Sequence, residues 1–143
     1  MSITGLESKI DTALMARLAS LTLSPVRRVA WPGADFTPGS GEIYLEPNVI
    51  PSATTQASLG YDGVNRHQGL FQVSVWSPLA TSTIPALEVV SAVMAHFKRG
   101  TVLNFEGITL RINQPPSRAP ALTDGAWRQI PVTIPYFTDN PNP

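Results

Sequence analysis

The chain has 143 residues, 43% of them hydrophobic, which is enough for one core and too little for two. Ten basic residues balance ten acidic ones, removing the net field that would hold nucleic acid or an anionic membrane by charge alone. Charged residues make up only 14% of the chain, against roughly 25% in an average soluble domain, so part of the surface suits contact, and the absence of cysteine removes disulfides, thiolate nucleophiles and Cys-ligated metals together.

Leu6, Ile10, Leu14, Leu18 and Leu21 recur at helical spacing and predict an amphipathic helix over residues 5–21, ended by Ser24-Pro25. Glu7, Lys9 and Asp11 interrupt the apolar run that a signal peptide needs, and no run is long enough to span a bilayer, so a cytoplasmic product without a membrane segment is expected. A short strand is expected over 26–31, turn chemistry over 32–41, and a second strand over 42–46. Residues 48–66 carry Pro51, a Ser/Thr cluster, Gly60 and Gly63 without periodicity and are expected to form a long loop. Loops of that length in small domains are commonly functional. Tyr61, Asp62 and Arg66 are its candidate contact residues, and Trp31, beside Pro32-Gly33, is a further candidate interface anchor.

The run 67–76, HQGLFQVSVW, alternates Phe71, Val73 and Val75 against Leu70, Gln72, Ser74 and Trp76. It reads as a strand with one fully apolar face, which should meet the helices. Thr81 to Thr83 offer an N-cap and Pro85 a first-turn proline to a second helix, whose buried stripe is expected at Leu87, Val90, Met94 and Phe97. Lys98, Arg99 and Gly100 suit its C-terminal end. Strands over 101–105 and 108–113 flank the tight turn Glu106-Gly107, a proline-rich loop (PPSRAP) follows, and the last strand runs over 126–137. Within that strand Pro131 and Pro135 have equal parity, so both remove donors from one side, which should be a sheet edge. The expected fold is α+β, with one mixed, largely antiparallel sheet and both helices on one face, in the order α-β-β-β-α-β-β-β. Residues 1–137 should form a single domain, and 138–143 a disordered tail.

Catalytic and metal chemistry find little support. His67 and His96 are the two histidines, and neither has a metal-ligand spacing to a second His or a carboxylate. His96 suits a satisfied helix residue and His67 an ordinary residue at the start of a strand. Gly39-Ser40-Gly41 lacks the Lys and helix of a phosphate loop, and no G-x-S-x-G elbow occurs. Glu42 and Glu46 could meet as paired carboxylates but read more simply as solvated charges. The expectation is therefore no catalytic, cofactor or metal site, with a small hydrolase built on His67 and a distant carboxylate as the enzymatic alternative.

Taken in order, Ala30-Trp31-Pro32-Gly33, Phe36-x-Pro38, Tyr44-Leu45, His67-x-Gly69-Leu70-Phe71-Gln72-Val73, Phe97-Lys98-Arg99-Gly100, Gly125-x-Trp127 and Ile134-Pro135-Tyr136 resemble the phage tail-terminator-like family, related in fold to the minor tail protein U of lambda-like phages. The resemblance spans about residues 10–137. It implies a non-catalytic protein that caps the tail tube as a homo-oligomeric ring, commonly a hexamer. It also implies two partners, the tail tube protein and a head-completion or neck protein, at the head-proximal end of the virion tail after assembly in the host cytoplasm. A neck or head-completion protein of the same fold is the structural alternative. No specific nucleic-acid or membrane binding is expected.

Overall fold

The computed structural model describes residues 4–141. Helix α1, Leu6–Ala19, buries Ile10, Ala13, Leu14 and Leu18, the expected stripe. It stops before the proline that was expected to end it, because Ser20 turns its hydroxyl back onto the Arg17 carbonyl (2.6 Å) and the Leu21 N–H bonds to Leu18. The segment 26–31 forms no strand. Flanked by Pro25 and Pro32, it makes one parallel bridge, Val29 to Leu45, through Ala30 N–H to Leu45 O (2.7 Å) and Leu45 N–H to Arg28 O (3.1 Å).

Strand β1, Tyr44–Pro51, pairs antiparallel with β3, Val64–Pro78, from Tyr44 opposite Trp76 to Pro51 opposite Gly69. Much of the expected loop 48–66 is therefore strand, extended by the short β2, Thr55–Gln56, which pairs with Asn65 and Arg66. Val49 packs on the core but Ile50 beside it is exposed, and the residues that follow are mostly polar, so the stretch carries no sustained hydrophobic alternation. What remains irregular is the hairpin tip, 57–63.

After β3 comes helix α2, Ile84–His96, with Thr83 at the N-cap position making no side-chain cap bond. Its buried residues are Ala86, Val89, Val90 and Val93, and Phe97 is buried just beyond it, while Leu87 and Met94 are only partly buried. The stripe is thus rotated from the expected one. Nearly every face of this helix is apolar, so spacing alone does not select the buried side, and the compact alanine and valines allow the closest approach to the sheet.

Strands β4, Val102–Phe105, and β5, Ile108–Arg111, form the expected hairpin, its two turn residues at positive φ, Glu106 at 46° and Gly107 at 87°. The proline-rich segment contributes β6, Ser117–Arg118; β7, Leu122–Asp124, then turns at Gly125 into β8, Trp127–Pro141. Residues 138–141, expected to be disordered, pair with 64–67 as the end of β8; residues 142–143 of that expected tail lie outside the described residues.

The eight strands form one sheet with the path β1-β3-β8-β5-β4, while β6 and β7 add to β8. Phe71, Val73 and Val75 are fully buried and share a core with Ile10, Leu14 and Leu18 of α1 and Val90 and Val93 of α2, so both helices cover one face. β8 is an interior strand rather than the expected edge. The parity argument nevertheless holds: the Pro131 carbonyl accepts from Ala119 N–H (2.9 Å), so odd-numbered residues of β8 present their backbone away from β3. On that side β7, β6 and β5 pair only in short patches, and the gap between Thr133 and Phe137 contains Pro135.

Candidate interaction surface

Three of the residues singled out from sequence cluster on the β2–β3 hairpin. At its tip Ser58 Oγ accepts the Val64 N–H (2.7 Å) and Gly60 takes a φ of 90°, a turn that leaves Leu59 and Tyr61 93% and 95% exposed, with Asp62 exposed beside them. Arg66, lower on the hairpin, is engaged within the chain. Its guanidinium bonds both carboxylate oxygens of Asp139 (2.8 and 3.0 Å) and lies 4.4 Å over the Phe137 ring. That contact lowers the Asp139 pKa and ties the hairpin to the end of β8. Leu59, which sequence reasoning passed over, is as exposed as Tyr61.

Trp31 sits far from that tip, at the opposite end of β3. There a cleft of about 540 Å³ is lined by Trp31, Phe36, Tyr44, Glu46 and Pro47, with Pro38 on its rim. Tyr44 organises it, lying 4.8 Å from the Phe36 ring, stacked on Trp76 at 6.1 Å and edge-on to Trp127 at 5.6 Å. Arg28 fastens the loop that forms the far wall. It pairs in a fork with Glu42 (2.6 Å to each oxygen), donates to Thr37 O (3.0 Å) and covers the Phe36 ring at 4.6 Å. Glu42 also accepts the Gly39 N–H (2.7 Å), and the Arg28 and Gly39 bonds together hold its pKa down to about 2. Glu42 and Glu46 are therefore no carboxylate pair, since Glu46 accepts instead from the Trp76 indole N–H (3.3 Å).

His67 opens onto a groove of about 710 Å³ between the start of α1, the β4–β5 turn and the end of β8. Its Nδ1 lies 3.3 Å from Glu7 Oε1 and 3.4 Å from Thr54 Oγ1. A hydrolytic relay places carboxylate and nucleophile on opposite ring nitrogens; here both fall on the same one, where they compete. His96 is a structural group. Its Nε2 bonds the Arg17 carbonyl (2.7 Å) at the end of α1, while Arg17 donates to the His96 carbonyl (2.8 and 3.1 Å) at the end of α2, so each helix terminus caps the other. Burial lowers the His96 pKa, against the opposing effect of its bond to Arg17. Among the described residues there is no metal-competent cluster of His and carboxylates, and no helix is long and apolar enough to cross a membrane.

One buried cation escaped sequence reasoning. Arg128 donates to Ser77 Oγ (3.2 Å), Leu79 O (3.2 Å) and Thr81 O (3.0 Å), gathering the loop that leads into α2.

Comparison with known proteins adds two findings. A family model described as phage tail terminator protein matches residues 9–136. A solved structure with no functional name is similar over 94% of this chain and 96% of its own, at 28% identity and a TM-score of 0.75. No curated protein matches.

Proposed function

The chain belongs to the phage tail terminator family, whose members are structural components of the tail, and from that premise we propose that its copies form a ring, commonly a hexamer, on the last ring of the tail tube. The ring ends polymerisation because one face complements the tube end while the other lacks the tube's own self-complementary surface. That second face is offered to a head-completion or neck protein at the head-proximal end of the tail. No bond is made or broken in this role, and the residues that perform it are contact residues rather than catalytic ones.

The match of the family model over residues 9–136 carries the reading. The low charge of the chain and the exposed hairpin tip are in keeping with it. Tyr61 and Asp62, with Leu59, are assigned to contact with a neighbouring subunit or the tube, Arg66 to holding that hairpin in place, and Trp31 to a second contact at the aromatic cleft. Electron microscopy of tube protein assembled with and without this chain tests the function: finite tubes ending in a ring are expected, and uncapped tubes of indefinite length at saturating protein would overturn it. Binding to completed heads but not to tubes would favour the neck reading. Deleting residues 58–62 tests the hairpin, whose assignment fails if rings and capping survive intact.

A further inference from the structure

The sheet has two lateral sides, and they are complementary. On one side lies β1. Because Leu45 presents both N–H and C=O to the 28–30 segment, the odd-numbered residues of β1 direct their backbone outward, and two of them, Pro47 and Pro51, have no N–H. A neighbouring strand cannot be added along an edge so poor in donors. What that side does offer is the cleft of Trp31, Phe36 and Tyr44. The Trp31 indole N–H has no hydrogen-bond partner among the described residues. An aromatic-lined groove with a donor is the surface that recognises extended proline-rich chain, which needs no strand ladder because its own donors are missing.

The charge of the cleft selects further. Glu46 lines it, and Asp35 is exposed on the wall loop; Glu42 is neutralised by Arg28. Tyr44 senses the excess, its pKa raised by burial first and then by Glu46, Asp124 and Glu42. Of the cations in the same segment, Arg28 is closed on Glu42, leaving Arg27 against these carboxylates. The occupant should therefore be proline-rich and cationic.

The opposite side of the sheet presents such a segment. Pro115, Pro120 and Arg118 are exposed in the run 114–120, and the Arg118 side chain makes no ion pair or hydrogen bond among the described residues. The run is rigid where it matters: Pro116 is buried, Ser117 and Arg118 pair with Thr133 and Val132, and Ala119 N–H bonds Pro131 O. Little conformational entropy remains to be lost on docking. The hairpin tip is the rival occupant, but its Asp62 would bring a carboxylate to an acidic cleft.

We propose that the Trp31–Phe36–Tyr44 cleft of one copy receives segment 114–120 of the next copy, with Arg118 set against Glu46. Donor and acceptor lie on opposite lateral sides, so the contact is head-to-tail and propagates around a closed ring. The inference rests on the ring proposed above and names the contact that builds it.

The test uses the 143-residue chain, which contains no cysteine. Glu46→Cys and Arg118→Cys proteins, mixed with tube protein under mild oxidation, are expected to form a mixed disulfide faster than either alone and faster than Glu46→Cys with Asp62→Cys. In the same assembly, Glu46→Arg and Arg118→Glu should each weaken ring formation about tenfold or more, and the double reversal should restore it. Both positions are exposed, and unchanged thermal unfolding of the variants establishes that they fold. Preferential coupling of Asp62→Cys, or rings indifferent to both reversals, overturns the proposal while leaving the ring intact. Absence of rings with the unmodified chain overturns the ring itself.

Discussion

Gly69 is the position where the register of β1 against β3 is most exposed to test. It stands opposite Pro51 and is buried, and a Cβ added there falls 2.6 Å from the Ile50 carbonyl oxygen, 2.9 Å from Pro51 Cα and 2.8 Å from the Tyr136 hydroxyl. Two of those atoms are backbone, and Tyr136 is itself only 4% exposed, so the end of β1 has to move away from β3. Overpacking of this kind costs about 1–3 kcal/mol. The φ of Gly69 is not in the left-handed region, so Gly69→Ala also gains about 0.4–1 kcal/mol from the unfolded chain. The net expectation is a loss of about 1–2 kcal/mol, read as a lower urea midpoint and a Tm lower by roughly 3–8 °C. Gly39→Ala is the control, since its Cβ meets only Glu42 side-chain atoms, at 3.4 Å and beyond, and it should be neutral or slightly stabilising. Equal stability of Gly69→Ala and the unmodified chain would refute the close approach of Pro51 to Gly69, and with it the placement of the hairpin that β1 and β3 support.

Arg128→Met should destabilise by about 1–3 kcal/mol in urea unfolding, because the Leu79 and Thr81 carbonyls lose their buried donor; amide exchange should rise over residues 78–84 before it rises elsewhere. The His96 pKa is lowered on folding, so the unfolded imidazole binds its proton first as the pH falls. The His96 contribution is therefore complete above the ordinary value of 6.5 and is lost below it, and His96→Gln should flatten that part of the stability–pH curve. Glu42, held down to about 2, contributes above its ordinary 4.5 and loses that contribution as the pH falls toward 2, a step that Arg28→Gln should shrink, leaving the part due to the Gly39 N–H. Leu59→Ser should leave Tm within about 1 °C, since that side chain is 93% exposed, yet reduce ring formation on tubes.

The sequence declared those elements whose side chains alternate between two environments. Phe71, Val73 and Val75 could be assigned to the core because Gln72 and Ser74 between them are polar, and α1 could be assigned because Lys9 and Arg17 leave one apolar stripe. β1 beyond Glu46 and the start of β3 bury little beyond Pro47 and part of Val49, and are held largely by backbone pairing, so little in their composition separates them from a loop. Residues 138–141 were hidden for the same reason: Asp, Asn and Pro read as a tail, while the pairing of Thr138 with His67 and Asp139 with Arg66 depends on a strand remote in sequence. At the candidate surface, the exposure of Tyr61 and Asp62 followed from turn chemistry. The aromatic cleft did not, because Trp31, Phe36 and Tyr44 are brought together by the Val29–Leu45 bridge and by Arg28 bonding Glu42 and Thr37, contacts that no local pattern announces.

In the ring proposed above, the prolines of this chain bear on how growth stops. Pro47 and Pro51 strip donors from the free side of β1, Pro131 and Pro135 strip them from the side of β8 away from β3, and the other strands paired on one side only, β2, β4, β6 and β7, are two to four residues long. Short and proline-bearing edges are the means by which a sheet avoids growing by strand addition. A ring that ends a polymer has particular need of this, since an open ladder of backbone donors would accept any strand, including one from a further ring. Contacts between copies are then left to side chains, which discriminate by shape and charge where a backbone ladder does not. On that account, restoring donors to the β1 edge by Pro47→Val and Pro51→Thr should permit off-register association, seen as aggregates rich in β-structure at temperatures below the Tm of the variant. If the double variant stays as soluble as the unmodified chain at high concentration, these prolines are not what guards the edge.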